Sequence, residues 1–490
     1  MTRGKQITLV LTFVALGTTL IMLLITGNPA SIFALPTLVP TISSPTLHPA
    51  TPTATPPPPL TPTPTPDPTA TFTPSPTETP TPTFTPTPFS LAEPVLIGVT
   101  PTLSDTTAIP TPVSVAEMAP GAINIVVLGS DRRPDWDDWH TDVIQIVSIQ
   151  PLMPAVTVLS IPRDLYVYIP DFWMSRVNFA DMYGELYEYE GGGPVLLQQT
   201  LLYNLGIPID HYVRTDFDGL IGIVDAMGGV EIPVHCSLQD YWPYPNEAGE
   251  YITKTLEPGV HYMDGETALW YARSRLGPRG GGVFARERRQ QQVLQAIWRQ
   301  ARNLDLLPRL PELWEQFRSM VVTDLEFGDV LMLAEVAFRL DEQNVRFRNI
   351  GYQHVIPWTT PKGGSVFLPN WEEIEPVVSE ALGPVPEGRL WRTLQTVEVW
   401  NGTPNADWDQ LATDRLFRQG FIAVIGQPDR RDYLQTQLID FTSTTKGSAI
   451  PYLQWMFNVS ASNVISAPDP NSAVQYRLIV GADYQTCRSP

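Results

Sequence analysis

Three short hydrophobic runs follow one another between positions 123 and 161 of the chain. Ile123–Leu128, Val143–Ile149 and Ala155–Ile161 are rich in β-branched residues and almost continuously apolar. Strands with one solvent-exposed face alternate apolar and polar side chains, whereas continuous apolar runs are typical of strands that are covered on both faces. The pattern therefore predicts a sheet enclosed between layers of helices.

Strand-like and helix-like segments alternate further along the chain. Glycine ends two predicted helices, and aspartate lies at the start of others. The predicted elements are a helix over Gly193–Gly206, a strand over His211–Thr215, a helix over Asp216–Met227, a strand over Val230–Val234, a polar aromatic loop over Ser237–Gly259, a helix from Asp264 to about Ala272, helices over Arg286–Arg302, Pro311–Ser319 and Phe327–Leu340, and a strand over Val345–Ile350. This order predicts a layered α/β domain over residues 119–384.

A second module follows the connector GPVPEG. The segments VEVWNGTPN, DQLATDRLFRQG and FIAVIG have a strand–helix–strand pattern, and QYRLIVGAD predicts a further strand. We therefore expect a small α/β domain over residues 393–490. Asn401-Gly402-Thr403 matches a glycosylation sequon, although it is interpreted more simply as a turn.

The N-terminal part has a different composition. An apolar run of about 20 residues, Ile7–Thr26, has basic residues only on its N-terminal side. This predicts a transmembrane helix within residues 1–27, with the N-terminus cytoplasmic and the following domains extracytoplasmic. A cleaved signal peptide is the alternative. Residues 28–118 are dominated by Pro and Thr and predict a disordered, extended linker.

Charge and cysteine content narrow the class of protein. The net charge of −20 and a pI near 4.7 argue against a nucleic-acid partner, because no basic stripe rises above the acidic background. The two cysteines, Cys236 and Cys487, form no metal-binding motif. The sequence is compatible with a disulfide between these two cysteines and equally with two unpaired thiols.

Two aspartates flank the loop between the first two predicted strands. Asp131 follows one strand and Asp142 begins the next, so neighbouring strands would bring both carboxylates to one edge of the sheet. Hard oxygen ligands suit Mg²⁺ better than Zn²⁺. The alternative is an ordinary polar loop with five aspartates. Arg133 at the third position of the loop excludes an EF-hand.

Arginines form a second constellation. Arg163 follows the third strand, Arg273 and Arg275 lie in YARSRLG, and Arg286 and Gln290 share one helix face. Guanidinium groups bind phosphate in bidentate fashion, while surface salt bridges are the alternative explanation. Together with the two aspartates, these arginines favour a metal-bridged pyrophosphate site. The chain has no HExxH, GxSxG or P-loop motif, so a zinc or catalytic-triad hydrolase has little support.

Seven motifs, in order, resemble the LytR-CpsA-Psr family. They are NIVVLGSDRR, HTDVIQIVSI, VLSIPRDLYVYIP, SRVNFADMYG, FDGLIGIVDAMGGVEI, YMDGETALWYARSR and RERRQQQVLQAI, between about Ile123 and Gln300. The segment from Val397 resembles the LytR C-terminal domain. The resemblance implies a layered α-β-α catalytic domain with a central sheet.

The resemblance also implies an extracytoplasmic, membrane-anchored phosphotransferase. Such enzymes move a glycopolymer from a polyprenyl-pyrophosphate lipid to peptidoglycan through a phosphodiester. By motif position, Asp131 and Asp142 would hold Mg²⁺, with Mn²⁺ as an alternative. The pyrophosphate would be held by Arg133, Arg163, Arg273, Arg275, Arg286 and Gln290, and the catalytic residues would be Asp131, Asp142, Arg163 and Arg275. Helices over Pro194–Leu205 and Leu220–Met227 are candidates for the walls of a lipid tunnel.

The chain departs from the family pattern at three points. His140 replaces an arginine, Val283 replaces an aspartate before Phe-Ala-Arg, and Arg132 replaces a small residue. The sequence does not identify the general base: it is Asp131, it is Asp164, or the reaction uses no protein base. A lipid-pyrophosphate pyrophosphatase and a non-catalytic wall-binding scaffold are alternative functions.

Overall fold

The computed structural model describes residues 108–133, 138–245, 249–275, 282–304, 310–444 and 447–487. The predicted transmembrane helix and nearly all of the predicted linker lie outside these residues. No helix within the described ranges is both long enough and apolar enough to cross a membrane.

The first domain contains fourteen strands and nine α-helices among the described residues. In chain order these are β1 (Ile123–Ser130), β2 (Thr141–Gln150), β3 (Ala155–Ser160), β4 (Tyr166–Tyr168), β5 (Met174–Arg176), α1 (Ala180–Leu186), α2 (Gly192–Leu205), β6 (His211–Thr215), α3 (Phe217–Ala226), β7 (Val230–Val234), β8 (Leu238–Pro245), β9 (Tyr251–Leu256), β10 (Gly259–Met263), α4 (Gly265–Arg273), α5 (Val283–Asn303), α6 (Leu310–Met320), β11 (Val322–Thr323), α7 (Phe327–Arg339), β12 (Val345–Asn349), β13 (Val355–Thr359), β14 (Ser365–Pro369), α8 (Trp371–Leu382) and α9 (Glu387–Arg392). Short 3₁₀ helices lie at Val177–Phe179, Glu342–Asn344 and Tyr352–His354.

A six-stranded mixed sheet, ordered β11-β6-β1-β2-β3-β12, forms the centre of this domain. Strands β1, β2 and β3 pair antiparallel, whereas β6 and β12 run parallel to β1 and β3. Ser130 pairs with Thr141, so the end of β1 lies beside the start of β2. This confirms that the two strands bearing the predicted aspartates are neighbours.

Both faces of the sheet are covered, as the continuous apolar runs predict. On one face, Val126 and Ile146 pack in a core with residues of α2 and α8. On the other face, Ile125 and Ile149 pack against Val336 of α7. Burial of apolar area on both sides stabilises the sheet by roughly 25 cal/mol per Å². The mixed α/β, layered α-β-α architecture is confirmed.

The prediction of a loop over Ser237–Gly259 is wrong. This segment contains the antiparallel hairpin β8–β9, whose pairing shifts between Tyr241 and Pro245. Trp242 packs beside Trp270, and the Lys254 ammonium lies 4.0 Å from the centre of the Trp242 ring. Two prolines and an irregular register hide the strand pattern in the sequence.

The last residues of the predicted linker lie against the first domain. Val113 donates a backbone hydrogen bond to Tyr203, and Ala116 donates one to Gly206. The Tyr203 hydroxyl also donates to the carbonyl of Pro110. The extended chain therefore joins the domain at α2, before residue 118.

The C-terminal segment forms a second sheet. Its elements are β15 (Thr396–Asn401), α10 (Trp408–Arg418), β16 (Ile422–Ile425), β17 (Gln437–Asp440), α11 (Ile450–Phe457), a 3₁₀ helix (Ala461–Asn463), β18 (Val464–Ser466) and β19 (Tyr476–Val480), with strand order β16-β15-β19-β17-β18. The Asn401 side chain is buried and accepts hydrogen bonds from Thr403, as in a turn. A disulfide joins Cys236 to Cys487, a pairing that the sequence left open.

Candidate functional site

The loop between β1 and β2 is closed at its base by Asp131 and His140. The Asp131 amide donates to the carbonyl of His140 over 3.0 Å, and the His140 amide donates to Asp131 Oδ1 over 2.6 Å. These reciprocal contacts fix the Asp131 carboxylate at the sheet edge where Asp142 begins its strand.

Asp142 is bound by Arg163, which follows β3. Arg163 Nη1 donates to both carboxylate oxygens of Asp142 over 2.5 Å. Burial would raise the pKa of Asp142, but the hydrogen bonds and charge of Arg163, with Arg286 and Arg275, hold this pKa below its ordinary value. Asp142 is therefore a carboxylate at neutral pH.

Two further guanidinium groups converge on Asp142. Arg275 Nη2 and Arg286 Nη1 each lie 3.9 Å from Asp142 Oδ2. Arg286 is buried, and burial together with the charge of Arg163 lowers its pKa to about 10, so it remains a cation at neutral pH. Three guanidinium groups around one carboxylate leave excess positive charge, which suits an anionic ligand.

Arg273 is the last residue of α4, and Arg275 lies two residues beyond the end of that helix. The helix runs from the N-cap Asp264 to Arg273, close to the predicted end. Arg273 stacks on Phe217 at 4.1 Å, whereas the Arg275 amide donates to Asp240 Oδ2 over 2.8 Å. Burial and then the charge of Arg133 lower the pKa of Arg273.

Gln290 contributes to the site through the backbone of α4. Its buried amide donates to the carbonyl of Ala272 over 3.5 Å, one residue before Arg273. Within the part of the chain that the structure describes, this hydrogen bond directs the Gln290 amide to the backbone of α4 and not to the carboxylate of Asp142. The structure therefore groups Asp142, Arg163, Arg275 and Arg286 directly, with Gln290 behind them.

A buried ion pair that was not predicted from the sequence holds the strand that carries Asp142. Asp181 of α1 is fully buried and accepts from the hydroxyl of Thr141 and from Arg214, each over 2.8 Å. Arg214 also donates to Glu185 over 2.8 Å. Thr141 immediately precedes Asp142, so the pair holds the start of β2 in place. The sequence does contain a sign of this pair: Arg214 lies inside the predicted strand HYVRT, and a buried arginine is almost always paired.

The departures at His140 and Arg132 have a packing explanation. The His140 ring contacts Phe179 edge-on at 4.7 Å between centroids. The guanidinium groups of Arg132 and Arg214 lie 5.5 and 5.6 Å from the ring of Trp139, which is buried. These contacts hold the described part of the loop by aromatic stacking and cation–π interactions.

Two carboxylates from outside α5 act on Arg286, which follows Val283 by three residues. Arg286 experiences the negative charge of Asp142 and of Asp164, both of which follow or begin strands of the central sheet. Asp164 also lies 3.6 Å from Arg176 Nε and 3.4 Å from Arg163 Nε. Asp164 therefore orients the arginines.

Glu287 is a buried carboxyl group on α5. Among the described residues neither of its oxygens has a hydrogen-bond partner. Burial raises its pKa to about 8, although Arg286 and Arg288 lower it in part. The group is therefore mainly protonated at neutral pH.

Replacing Glu287 by glutamine is expected to stabilise the protein relative to wild type by an amount that grows as the pH rises from about 4.5 to about 8. In the unfolded chain the carboxyl ionises near its ordinary pKa of 4.5, whereas in the folded protein it keeps its proton to about pH 8. The wild-type free energy of unfolding therefore falls between these two pH values, and the variant escapes this loss, gaining about 2–4 kcal/mol relative to wild type above pH 8. Urea unfolding from pH 5 to 9 measures the difference. The matched control Glu335→Gln, at an exposed site, should show no such trend, and equal trends would contradict the assignment.

Asp131 and Asp142 could bind Mg²⁺ only if other oxygen ligands completed its coordination shell. Within the described ranges, no group of three or more His, Cys, Asp or Glu is arranged to hold a metal ion. Mg²⁺ usually binds through one or two carboxylates together with water and substrate phosphate oxygens. Asp131 and the ionised Asp142 at one sheet edge fit that donor set.

Comparisons with known proteins find relatives of this chain. Residues 102–379, more than half of the chain, match the LytR_cpsA_psr family. Regulatory protein MsrR of Staphylococcus aureus is 31% identical over 205 residues, which cover 42% of this chain and 57% of MsrR. The polyisoprenyl-teichoic acid–peptidoglycan teichoic acid transferase TagU of Oceanobacillus iheyensis is 32% identical over 215 residues, which cover 43% of this chain and 62% of TagU. The chain thus spans less than two thirds of these curated relatives.

Among solved structures, Bacillus subtilis TagV shares 24% identity with this chain. The match covers 53% of the chain and 97% of TagV, with a TM-score of 0.43. A structure described as TagT bound to LI-WTA gives 22% identity over 56% of the chain and 96% of TagT, with a TM-score of 0.41.

Proposed function

Because the chain belongs to the LytR_cpsA_psr family, we propose that it transfers a glycopolymer from a polyprenyl-pyrophosphate lipid to peptidoglycan. The observation that carries the proposal is the convergence of Arg163, Arg275 and Arg286 on the ionised Asp142. Phosphoryl transfer needs positioning and charge neutralisation more than a reactive nucleophile. The transferase TagU, a relative, supports the choice of a wall glycan as cargo.

In this mechanism the arginines hold the pyrophosphate and orient it in line with an acceptor hydroxyl. The hydroxyl oxygen of peptidoglycan bonds to the phosphorus that carries the glycan, the bridging P–O bond breaks, and polyprenyl phosphate leaves with the bond electrons. Arg163, Arg275 and Arg286 stabilise the negative charge that develops during the transfer. A Mg²⁺ ion, or Mn²⁺ in its place, would be held by Asp131 and Asp142 and would neutralise pyrophosphate oxygens.

The proton of the acceptor hydroxyl passes to Asp131 or to water. Asp164 is the poorer base, because its carboxylate lies within 3.6 Å of the guanidinium groups of Arg163 and Arg176. Protonation of Asp164 would break both ion pairs and disturb the position of Arg163. Its role is therefore to position Arg163.

We further propose that the chain acts outside the cytoplasm, anchored by the apolar run Ile7–Thr26. A Pro/Thr-rich spacer at about 3.1 Å per residue would separate the catalytic domain from the membrane. This arrangement would present the site to a lipid-linked donor and to the wall. The C-terminal domain would be an accessory module on the same side.

Acceptor dependence separates transfer from the alternative functions. The full chain is incubated with Mg²⁺ and lipid-linked donor, with and without peptidoglycan, and released polyprenyl phosphate is measured. We expect release to increase at least about tenfold with peptidoglycan, and to fall about 10–100-fold in Arg275→Gln. Arg275 is 63% exposed, so this change removes charge with little structural cost, and Arg339→Gln is the matched surface control.

The other outcomes identify the rival functions. Equal release without peptidoglycan would indicate a lipid-pyrophosphate pyrophosphatase that uses water as acceptor. Absence of release, with peptidoglycan binding retained, would indicate a wall-binding scaffold.

A further inference from the structure

Five aromatic side chains form a continuous strip beside the candidate active site. Phe179, Tyr183 and Tyr187 are spaced four residues apart and lie along one side of α1, with successive ring centres 5.6 and 6.0 Å apart. The rings of Phe172 and Trp173, which come from the turn between β4 and β5, pack beside Tyr183 at 5.8 and 5.3 Å. We refer to these five residues as the aromatic strip.

The aromatic strip begins at the loop that carries the candidate site. The ring of His140 lies 4.7 Å from the ring of Phe179, and the His140 amide donates to the carboxylate of Asp131. Asp142 follows two residues later in the chain. The strip therefore extends along α1 from the sheet edge that holds the two aspartates, and it ends at Tyr187, which is 54% exposed.

The hydrophobic core holds the base of the aromatic strip, while its far end faces solvent. Phe172, Phe179 and Tyr183 are partly buried and pack against the main core of the first domain. Trp173 is 49% exposed, and its ring lies 6.5 Å from that of Tyr187. Rings that packing already orders can bind a ligand at a low cost in conformational entropy.

Backbone strain marks both turns that present the exposed rings. Asp171 precedes Phe172 and Trp173 with φ 64°, and Glu188 follows Tyr187 with φ 51°. The Phe172 amide donates to the carbonyl of Ile169 over 3.0 Å, so Asp171 occupies the third turn position, where glycine normally supplies a positive φ. Strained residues other than glycine cluster at binding sites, which supports a ligand for the aromatic strip.

The exposed rings also offer polar groups to a ligand. Across the described ranges, no hydrogen bond joins the indole N–H of Trp173, or the hydroxyls of Tyr183 and Tyr187, to another residue. A sugar ring has C–H groups on its faces and hydroxyls at its edge. Flat aromatic faces with hydrogen-bonding groups at their rims match both features.

The charges around the aromatic strip favour an uncharged ligand over a membrane surface. The exposed charged residues of segment 171–190 are all acidic, namely Asp171, Glu188 and Glu190. They would repel anionic lipid head groups and an anionic polymer. They would not repel neutral sugar rings.

We propose that the aromatic strip binds the uncharged sugar rings of a glycan strand and holds the acceptor strand beside Asp142. Successive rings along α1 would stack on successive sugars, and the acceptor hydroxyl would lie at the His140 end. The assignment of this glycan as the acceptor rests on the proposed function. The binding of sugar rings does not depend on it.

Calorimetric titration of the full chain with chitotetraose, a neutral tetramer of N-acetylglucosamine, tests the binding. The protein is kept in a neutral detergent, without donor or Mg²⁺. We expect saturable binding that Trp173→Ala and Tyr187→Ala each weaken about tenfold, because each removes a stacked ring. Trp455→Ala on α11, where Trp455 is 52% exposed beside Tyr452, is the matched control and should leave the affinity unchanged.

A competition experiment tests the acceptor assignment. In the transfer assay, chitotetraose should lower incorporation of the glycan into insoluble peptidoglycan, and Trp173→Ala should need about tenfold more chitotetraose for the same effect. Binding of chitotetraose without such competition would overturn the acceptor assignment.

Two other outcomes would overturn the proposal as a whole. One is absence of saturable binding, or an affinity unchanged in both Trp173→Ala and Tyr187→Ala. The other is contact with a bilayer, detected when brominated phosphatidylcholine in vesicles carrying the full chain quenches tryptophan fluorescence more in wild type than in Trp173→Ala. Because the titration contains no donor, failure of the proposed transfer reaction would not alter its result.

Discussion

Replacing Asp142 by alanine is expected to lower the rate of glycopolymer transfer by about 10²–10³-fold, because in the proposed mechanism this side chain has two roles. Its carboxylate would hold the cation, and it accepts hydrogen bonds from Arg163 over 2.5 Å with Arg275 and Arg286 each at 3.9 Å. Without it, three guanidinium groups lose their common partner, and the positions of those groups change. Initial rates of polyprenyl phosphate release with peptidoglycan measure the effect.

Asp138→Asn is the matched control for this prediction. Asp138 belongs to the same loop, but its side chain is 84% exposed and lies 3.9 Å from His140 Nε2. Its loss should change the rate by less than about twofold, because exposed ion pairs contribute little. A normal rate in Asp142→Ala, with the fold intact by circular dichroism, would remove both the cation and the arginine assignments.

Replacing Arg214 by methionine is expected to destabilise the first domain by about 3–5 kcal/mol. The change leaves the fully buried Asp181 without its cation, and it also removes the partner of Glu185 and the cation over Trp139. A buried charge without a partner is costly. Urea unfolding of the full chain, followed by near-ultraviolet circular dichroism, gives the free energy.

A double variant separates loss of the ion pair from loss of packing. Adding Asp181→Leu to Arg214→Met removes the uncompensated charge and should recover part of the lost stability. Arg339→Met, at an exposed position on α7, is the single-site control and should change stability by less than about 0.5 kcal/mol. A loss below about 1 kcal/mol in Arg214→Met would show that the pair contributes little.

Local sequence signals predicted the elements that present the candidate site. The apolar runs located β1, β2 and β3, and an aspartate marks the N-cap of α4, where Asp264 accepts from the amide of Thr267. The glycine after α2 ends that helix at Gly206 with positive φ, as the pattern indicates. Asp131 and Asp142 could be placed at one edge because their strands are adjacent in sequence and in the sheet.

Features that join distant parts of the chain could not be predicted in this way. The Asp181–Arg214 pair spans 33 residues and depends on how α1 lies under the sheet. Cys236 and Cys487 are 251 residues apart, so their pairing requires the docking of the two domains. The hairpin β8–β9 was missed because its shifted register interrupts alternation. In each case the deciding contact is tertiary.

We propose that the arginine-bound Asp142 site moves a glycan-bearing phosphate from lipid to wall. It is tested most directly with a donor labelled with ³²P on the phosphate adjacent to the glycan, incubated with Mg²⁺, peptidoglycan and the full chain. We expect the label to appear in insoluble peptidoglycan as a phosphodiester, and we expect Asp142→Ala to prevent this while Asp138→Asn does not. Label released as soluble glycan phosphate, or retained in the lipid donor by the wild-type chain, would contradict it.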